Sequence, residues 1–207
     1  MFTGIIEELG VVREAGDRLV IECRKVLRDS EAGASVAVNG VCLTVVERDS
    51  SDSSSAGDGS LAFDVSAETR SRSSLGRIAA GHHVNLERPM TLVARLGGHL
   101  VQGHVDAVGE VLEVRPAGTG TEVWIDFPSD LGRYIVEKGS IAVDGVSLTV
   151  SGRSDGAFGV ALIPYTLEAT TLGDLKPGDP VNLEVDVIAK YVEALVGTPT
   201  GARKGSS

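Results

Sequence analysis

Cys42 and Thr44, and then Ser147 and Thr149, hold the same places in two nearly identical phrases, VNGVCLTV at 38–45 and VDGVSLTV at 143–150. Six of the eight positions agree, and the two exchanges, Asn39 for Asp144 and Cys42 for Ser147, fall on the polar, chemically usable ones. A free thiol, with an ordinary pKa of about 8.5, is partly thiolate near neutrality, whereas a serine hydroxyl is a poor nucleophile unless a base assists it. Asp144 is the candidate base for Ser147. His104 adds a group that exchanges protons near neutral pH, since an ordinary imidazole titrates at about 6.5. Together these side chains suit proton transfer and nucleophilic or hydrogen-bond activation of an organic substrate, with unequal chemistry in the two copies.

Metal and nucleotide chemistry find no support in the spacings. His99 and His104 in GGHLVQGHV are five apart, which on a strand sends them to opposite faces. Cys23 and Cys42 form no ligand pair, and Cys23 in RLVIECRK reads as a buried strand residue. There is neither a phosphate-binding glycine loop nor a nucleophile elbow.

The chain repeats itself throughout. FTGIIEELGVV (2–12) answers VQGHVDAVGEV (101–111), which aligns Gly4 with Gly103 and Ile5 with His104. SSLGRIAAGHHVNLE (73–87) answers TTLGDLKPGDPVNLE (170–184), so three blocks recur in one order and mark a duplication with its boundary near 95–100. The expected units are 1–97, 98–185 and a C-terminal piece, 186–207. Segments are short, rich in β-branched residues and punctuated by Gly, Asn, Asp and Pro, and Asn39-Gly40 between alternating apolar flanks is a strong hairpin signal. Several such strands in fewer than about 100 residues predict a closed antiparallel barrel, because an isolated small sheet leaves its edges unpaired.

LGRIAAG and LGDLKPGD each predict a short helical turn, and His82 and His83 read as a solvated turn. The Ser-rich stretch 48–60 reads as a loop without function. DVIAKYVEALVG predicts a helix with Ile188, Tyr191, Val192 and Leu195 on one face and Gly197 as its stop. That apolar face suits another subunit or the helix's own barrel equally well.

Alternation sorts the repeated phrase. Val41, Leu43 and Val45 share the core face, as do Val146, Leu148 and Val150, while Cys42 and Thr44, Ser147 and Thr149 turn away, where a solute reaches them. A lone Ser-x-Thr on a strand is usually structural, and it is the recurrence at matched positions that marks these as a site. A net charge of −10 argues against nucleic acid, no stretch approaches the roughly 20 apolar residues of a membrane span, and the N-terminus lacks a signal-peptide pattern. The cytoplasm is the expected compartment.

With MFTGII, NGVCLTV, GGHLVQGHVD, DGVSLTV and IPYTLEATTLGDLKPGDPVNLE in place, the chain resembles the riboflavin synthase family of the α-chain type over nearly its whole length. The resemblance implies an all-β fold of two tandem six-stranded Greek-key barrels, followed by a C-terminal α-helix that assembles a homotrimer. It implies dismutation of two molecules of 6,7-dimethyl-8-ribityllumazine into riboflavin and 5-amino-6-ribitylaminouracil, with no cofactor or metal, where the N-barrel of one subunit faces the C-barrel of the next.

By the same resemblance, the N-barrel pocket holds Gly4, Ile5 and Ile6, then Cys42, Leu43 and Thr44, and then Asp64, Val65, Ser66, Ala67, Glu68 and Thr69. The C-barrel pocket holds Gly103, His104 and Val105, then Lys138, then Ser147, Leu148 and Thr149, and then Ala161, Leu162, Ile163, Pro164, Tyr165 and Thr166. Phe2 and Ser35 stand near the site. His104, Ser147, Asp144, Cys42, Lys138 and Thr149 are the expected catalytic set. Tyr165 departs from the family pattern, which has Glu there. A non-catalytic lumazine-binding antenna protein is the alternative within this fold, and the joint presence of Lys138, Asp144, Ser147 and His104 separates the two readings.

Overall fold

A computed structural model describes residues 1–50 and 59–196. Most of the Ser-rich stretch and the expected helix stop at Gly197 lie outside the described residues. Two closed six-stranded antiparallel barrels follow one another. The first comprises β1 (Glu8–Glu14), β2 (Arg18–Cys23), β3 (Ser35–Val38), β4 (Val41–Ser50), β5 (Gly59–Asp64) and β6 (His83–Glu87). The second comprises β7 (Ala107–Ala117), β8 (Gly120–Asp126), β9 (Ser140–Val143), β10 (Val146–Ser154), β11 (Ala157–Leu162) and β12 (Pro180–Val185). Strand order around the barrels is β1-β2-β5-β4-β3-β6 and β7-β8-β11-β10-β9-β12, the same Greek-key circuit twice. A short helix, α1 (Ala67–Arg72) or α2 (Pro164–Ala169), and a 3₁₀ turn precede the last strand of each barrel.

The repeated phrase forms the tight hairpins β3-β4 and β9-β10. Asn39 and Gly40 take φ of 46° and 75°, and Asp144 and Gly145 take 44° and 79°. Two successive left-handed residues make the turn that matches strand twist, which Asn-Gly and Asp-Gly adopt at low cost. Past the turn, Val41, Leu43 and Val45 enter the first core, and Val146 and Val150 the second. Cys42, Thr44, Ser147 and Thr149 stay outside the fully buried set, as the alternation requires. Cys23 is buried on β2, where apolar surroundings push its thiol up to about 12.

The barrels meet along a pseudo-twofold seam. Phe2 and Val101 bridge through two backbone hydrogen bonds and pack with Ala37 and Ala142 in a small core between the barrels. The two hairpin glycines sit back to back, where a Cβ on Gly40 would lie 2.7 Å from the amide nitrogen of Gly145. Asn85 donates from Nδ2 to the Asp144 carbonyl at 2.9 Å, and Asn182 returns the bond to the Asn39 carbonyl at 2.8 Å.

Helix α3 (Val187–Val196) docks on the second barrel by its polar side. Lys190 Nζ lies 2.6 Å from Asp106 Oδ1, and Glu193 accepts from Arg133 and from the Tyr134 hydroxyl. Its apolar side faces outward, with Ile188, Tyr191, Val192 and Leu195 between 51 % and 86 % exposed. Among the described residues, no helix is long and apolar enough to cross a membrane.

Candidate active site

The segment before each barrel lies across the other barrel. Gly4 accepts at its carbonyl from the Ser147 amide at 2.8 Å, and Gly103 accepts from the Cys42 amide at 2.9 Å. Both glycines need positive φ, and both approach so closely that a Cβ would sit 2.6 Å from the partner's own Cβ. Ile6 packs on the second core and Val105 on the first. Gly4 and Ile6 thus lie against the C-barrel beside Ser147, and Gly103 and Val105 against the N-barrel beside Cys42, the reverse of the grouping by repeat.

On the C-barrel face, Ser147 projects from β10 and its Oγ lies 2.7 Å from His99 Nδ1. The His99 amide donates to the Thr3 carbonyl at 3.1 Å, which pins the imidazole beside the strand. His99 is only 8 % exposed. Burial lowers its pKa, favouring the neutral ring, and the charge of Asp186 partly offsets that. In the tautomer that carries its proton on Nε2, Nδ1 accepts from the Ser147 hydroxyl, which is the geometry of a hydroxyl beside a base. His99 Nε2 has no hydrogen-bond partner.

Asp144, the base expected from sequence, lies elsewhere. It is buried in the seam, and its Oδ1 accepts the Asn182 amide at 2.8 Å, just as Asn39 Oδ1 accepts that of Asn85. The hairpin turn directs it inward, and the group beside the Ser147 hydroxyl is His99. Burial raises the Asp144 carboxyl to about 7. A group raised in the folded state stabilises most below its unfolded pKa, about 3.9, and that contribution is lost as pH rises through the folded value. Asp144→Asn, which copies the first repeat, is therefore expected to raise stability more at pH 8.5 than at pH 5. Urea melts at the two pH values check this.

Lys138, two residues before β9, takes φ of 65°, and its amide donates to the Val150 carbonyl at 2.9 Å. The first barrel makes the equivalent bond, Gly33 to Val45 at 2.8 Å, with a glycine at φ 91°. A side chain in the left-handed region costs about 1–2 kcal/mol, and the second barrel places an exposed lysine where the first has glycine. Lys138→Gly is expected to keep stability or raise it by up to about 1 kcal/mol while lowering turnover. Denaturation and rate measurements on one preparation separate the two effects.

Around these groups, Ala161, Ile163, Pro164 and Tyr165 are exposed at the mouth of the second barrel, with Thr166 half-buried in α2. In the first barrel, Asp64, Ser66, Ala67 and Glu68 are exposed and Thr69 is half-buried; Ser66 caps α1 by accepting the Thr69 amide at 3.1 Å. Four of the expected ligand residues, Phe2, Leu43, Val65 and Leu162, bury their side chains in the cores or the seam and offer the site backbone only. Leu148 is half-buried against the second core, and Thr44, Thr149, Ile5 and His104 reach solvent. A cleft of about 750 Å³ beside the Gly4 segment is lined by Thr3, Ile5, Ser35, Arg88 and Met90.

The sequence model of the lumazine binding domain matches the chain twice, at residues 3–89 and 102–186. The riboflavin synthase of Mycobacterium tuberculosis is 52 % identical over 204 residues, 95 % of this chain and 98 % of that one. The chain belongs to the riboflavin synthase family. The riboflavin synthase of Bacillus subtilis is 39 % identical over 197 residues, 93 % of this chain and 88 % of that protein. Among solved structures, LumP complexed with 6,7-dimethyl-8-(1'-D-ribityl)lumazine superposes with a TM-score of 0.76 at 25 % identity, covering 89 % of this chain and 99 % of that one. LumP complexed with riboflavin gives 0.75 at 27 %, with the same coverage. As a riboflavin synthase family enzyme, the chain carries the duplicated barrel with its two faces chemically unequal.

Proposed function

We propose that this chain dismutates 6,7-dimethyl-8-ribityllumazine, moving four carbons from one molecule to a second to give riboflavin and 5-amino-6-(D-ribitylamino)uracil. The observation that carries this reading is the unequal pair on a pseudo-symmetric frame. Ser147 has a buried imidazole 2.7 Å from its hydroxyl, and Cys42 stands at the equivalent place beside Gly103 and the exposed His104. Two like barrels suit two like molecules, and unequal side chains suit a reaction in which one molecule donates and the other accepts.

The 7-methyl group of one lumazine must lose a proton, and the ring of the other must be activated by a nucleophile or a hydrogen-bond donor. His104 serves as proton carrier on the N-barrel face, and the Ser147–His99 pair activates the molecule on the C-barrel face. Lys138 supplies a positive charge beside the latter, and Thr149 a hydroxyl on the same face as Ser147. The reaction balances in atoms and electrons between its two substrates, so neither a cofactor nor a metal is required.

The N-barrel face of one subunit meets the C-barrel face of the next in a homotrimer held by α3. The outward apolar side of α3 and its polar docking support this arrangement.

Subunit mixing tests the shared site. His104→Ala and Ser147→Ala proteins are each expected to be nearly inactive, yet co-refolded mixtures should regain activity at about a quarter of the interfaces, those that join two intact faces. No recovery from well-mixed trimers would place both faces of the site within one subunit and overturn the proposal.

A further inference from the structure

Each barrel buries one glutamate near the end of its last strand, and neither forms a salt bridge among the described residues. Glu87 on β6 is 4 % exposed and Glu184 on β12 is 3 % exposed. Burial without a cation raises both carboxyls, and backbone amides offset the cost of desolvation. The donors differ between the copies. Glu87 takes the Thr3 amide at 2.7 Å and the Thr3 hydroxyl at 2.8 Å on Oε1, and the Gly4 amide at 2.9 Å on Oε2. The next amide, that of Ile5, is left to the Thr3 hydroxyl at 3.3 Å. Glu184 takes three consecutive amides: Gln102 at 2.6 Å on Oε1, and Gly103 at 2.9 Å and His104 at 3.1 Å on Oε2.

Only in the second copy, then, does the carboxylate reach the residue whose side chain distinguishes the copies, His104 against Ile5. The same stretch is held from its other side, where the Gly103 carbonyl accepts the Cys42 amide. Just beyond, Asp106 takes the Val185 amide on Oδ2 at 2.9 Å and Lys190 on Oδ1 at 2.6 Å. We infer that Glu184 is a positioning residue for His104: it fixes the backbone of Gln102–His104 between the two barrels, so that the imidazole stands at a set place on the N-barrel face. The requirement is for two acceptor oxygens. A glutamine would turn an NH₂ group toward N–H donors that only an oxygen satisfies.

The inference rests on the reading that His104 takes part in turnover, and a double-mutant cycle separates the two. His104→Ala is expected to lower kcat by about a hundredfold, and Glu184→Gln by about thirtyfold with KM changed no more than about threefold, because a displaced group loses rate while the pocket persists. The double variant should fall no further than about threefold below His104→Ala alone, since Glu184 acts through a side chain already absent. Multiplied losses in the double variant, or full activity in Glu184→Gln while His104→Ala is impaired, would overturn the positioning role and leave the functional reading intact. Wild-type turnover in His104→Ala would overturn the assignment of His104 itself, and with it the inference. Should the glutamine variant not fold, Glu184→Asp keeps the charge, shortens the reach by one carbon and gives the same cycle.

Discussion

Ser147→Ala and His99→Ala are each expected to lower turnover by about a hundredfold or more while lumazine still binds, the usual scale for a positioned nucleophile or base. The two substitutions should not multiply, because either one dissolves the same 2.7 Å pair. Single-turnover rates and a ligand titration on the two variants and their double decide the matter, and near wild-type rates in both would remove the C-barrel pair from the chemistry. The pair also sets a pH dependence. Burial lowers the His99 pKa, which favours the base form, and turnover should fall as the medium is acidified below the ordinary imidazole value of about 6.5. The sign for stability is the same: a buried neutral imidazole contributes above its unfolded pKa, and the contribution is lost as pH falls through the folded one.

Removing residues 186–207 is expected to yield monomers with folded barrels and little activity. The apolar side of α3 carries Ile188, Tyr191, Val192 and Leu195 in solvent, while the polar anchors Lys190 and Glu193 hold the helix to its own barrel. Sedimentation gives the assembly state: an active trimer from the truncated chain would contradict the role given to α3, and an active monomer would contradict the shared site. Because Asp186 also acts on His99, the point variants Tyr191→Glu and Leu195→Glu should give the same dissociation without touching that carboxylate.

The hairpins were legible in the sequence because Asn39-Gly40 and Asp144-Gly145 are among the few pairs that accept two left-handed residues in succession. The alternation from Val41 to Val45 and from Val146 to Val150 was legible because one face of a closed barrel must be apolar. The crossing of the lead-in segments was not. Gly4 and Gly103 lie in irregular backbone, and their partners are set by pairing between barrels, which no period in the sequence reports.

His99 escaped for the same reason. Its bond to Ser147 spans 48 residues, and the strand geometry assumed for GGHLVQGHV does not form there. The signal available was Gly98, where a Cβ would fall 2.1 Å from the Thr3 carbonyl and 2.8 Å from Ser147 Oγ. Asp144 misled because its chemistry was visible and its direction was not: the turn that makes the hairpin also folds that side chain into the seam. The helix pattern did not report which side of α3 meets its own barrel; the polar side does, through Arg133, Tyr134 and Asp106, residues remote from it in sequence.

The central claim is that two unequal faces of a duplicated barrel exchange four carbons between two identical molecules. It is tested most directly by adding 6,7-dimethyl-8-ribityllumazine to the purified protein and following both products. The account predicts that riboflavin absorbance grows while lumazine is consumed at two molecules per riboflavin, with one 5-amino-6-ribitylaminouracil released for each. Saturable binding of the lumazine with no riboflavin formed would contradict it and identify the chain as a binding protein.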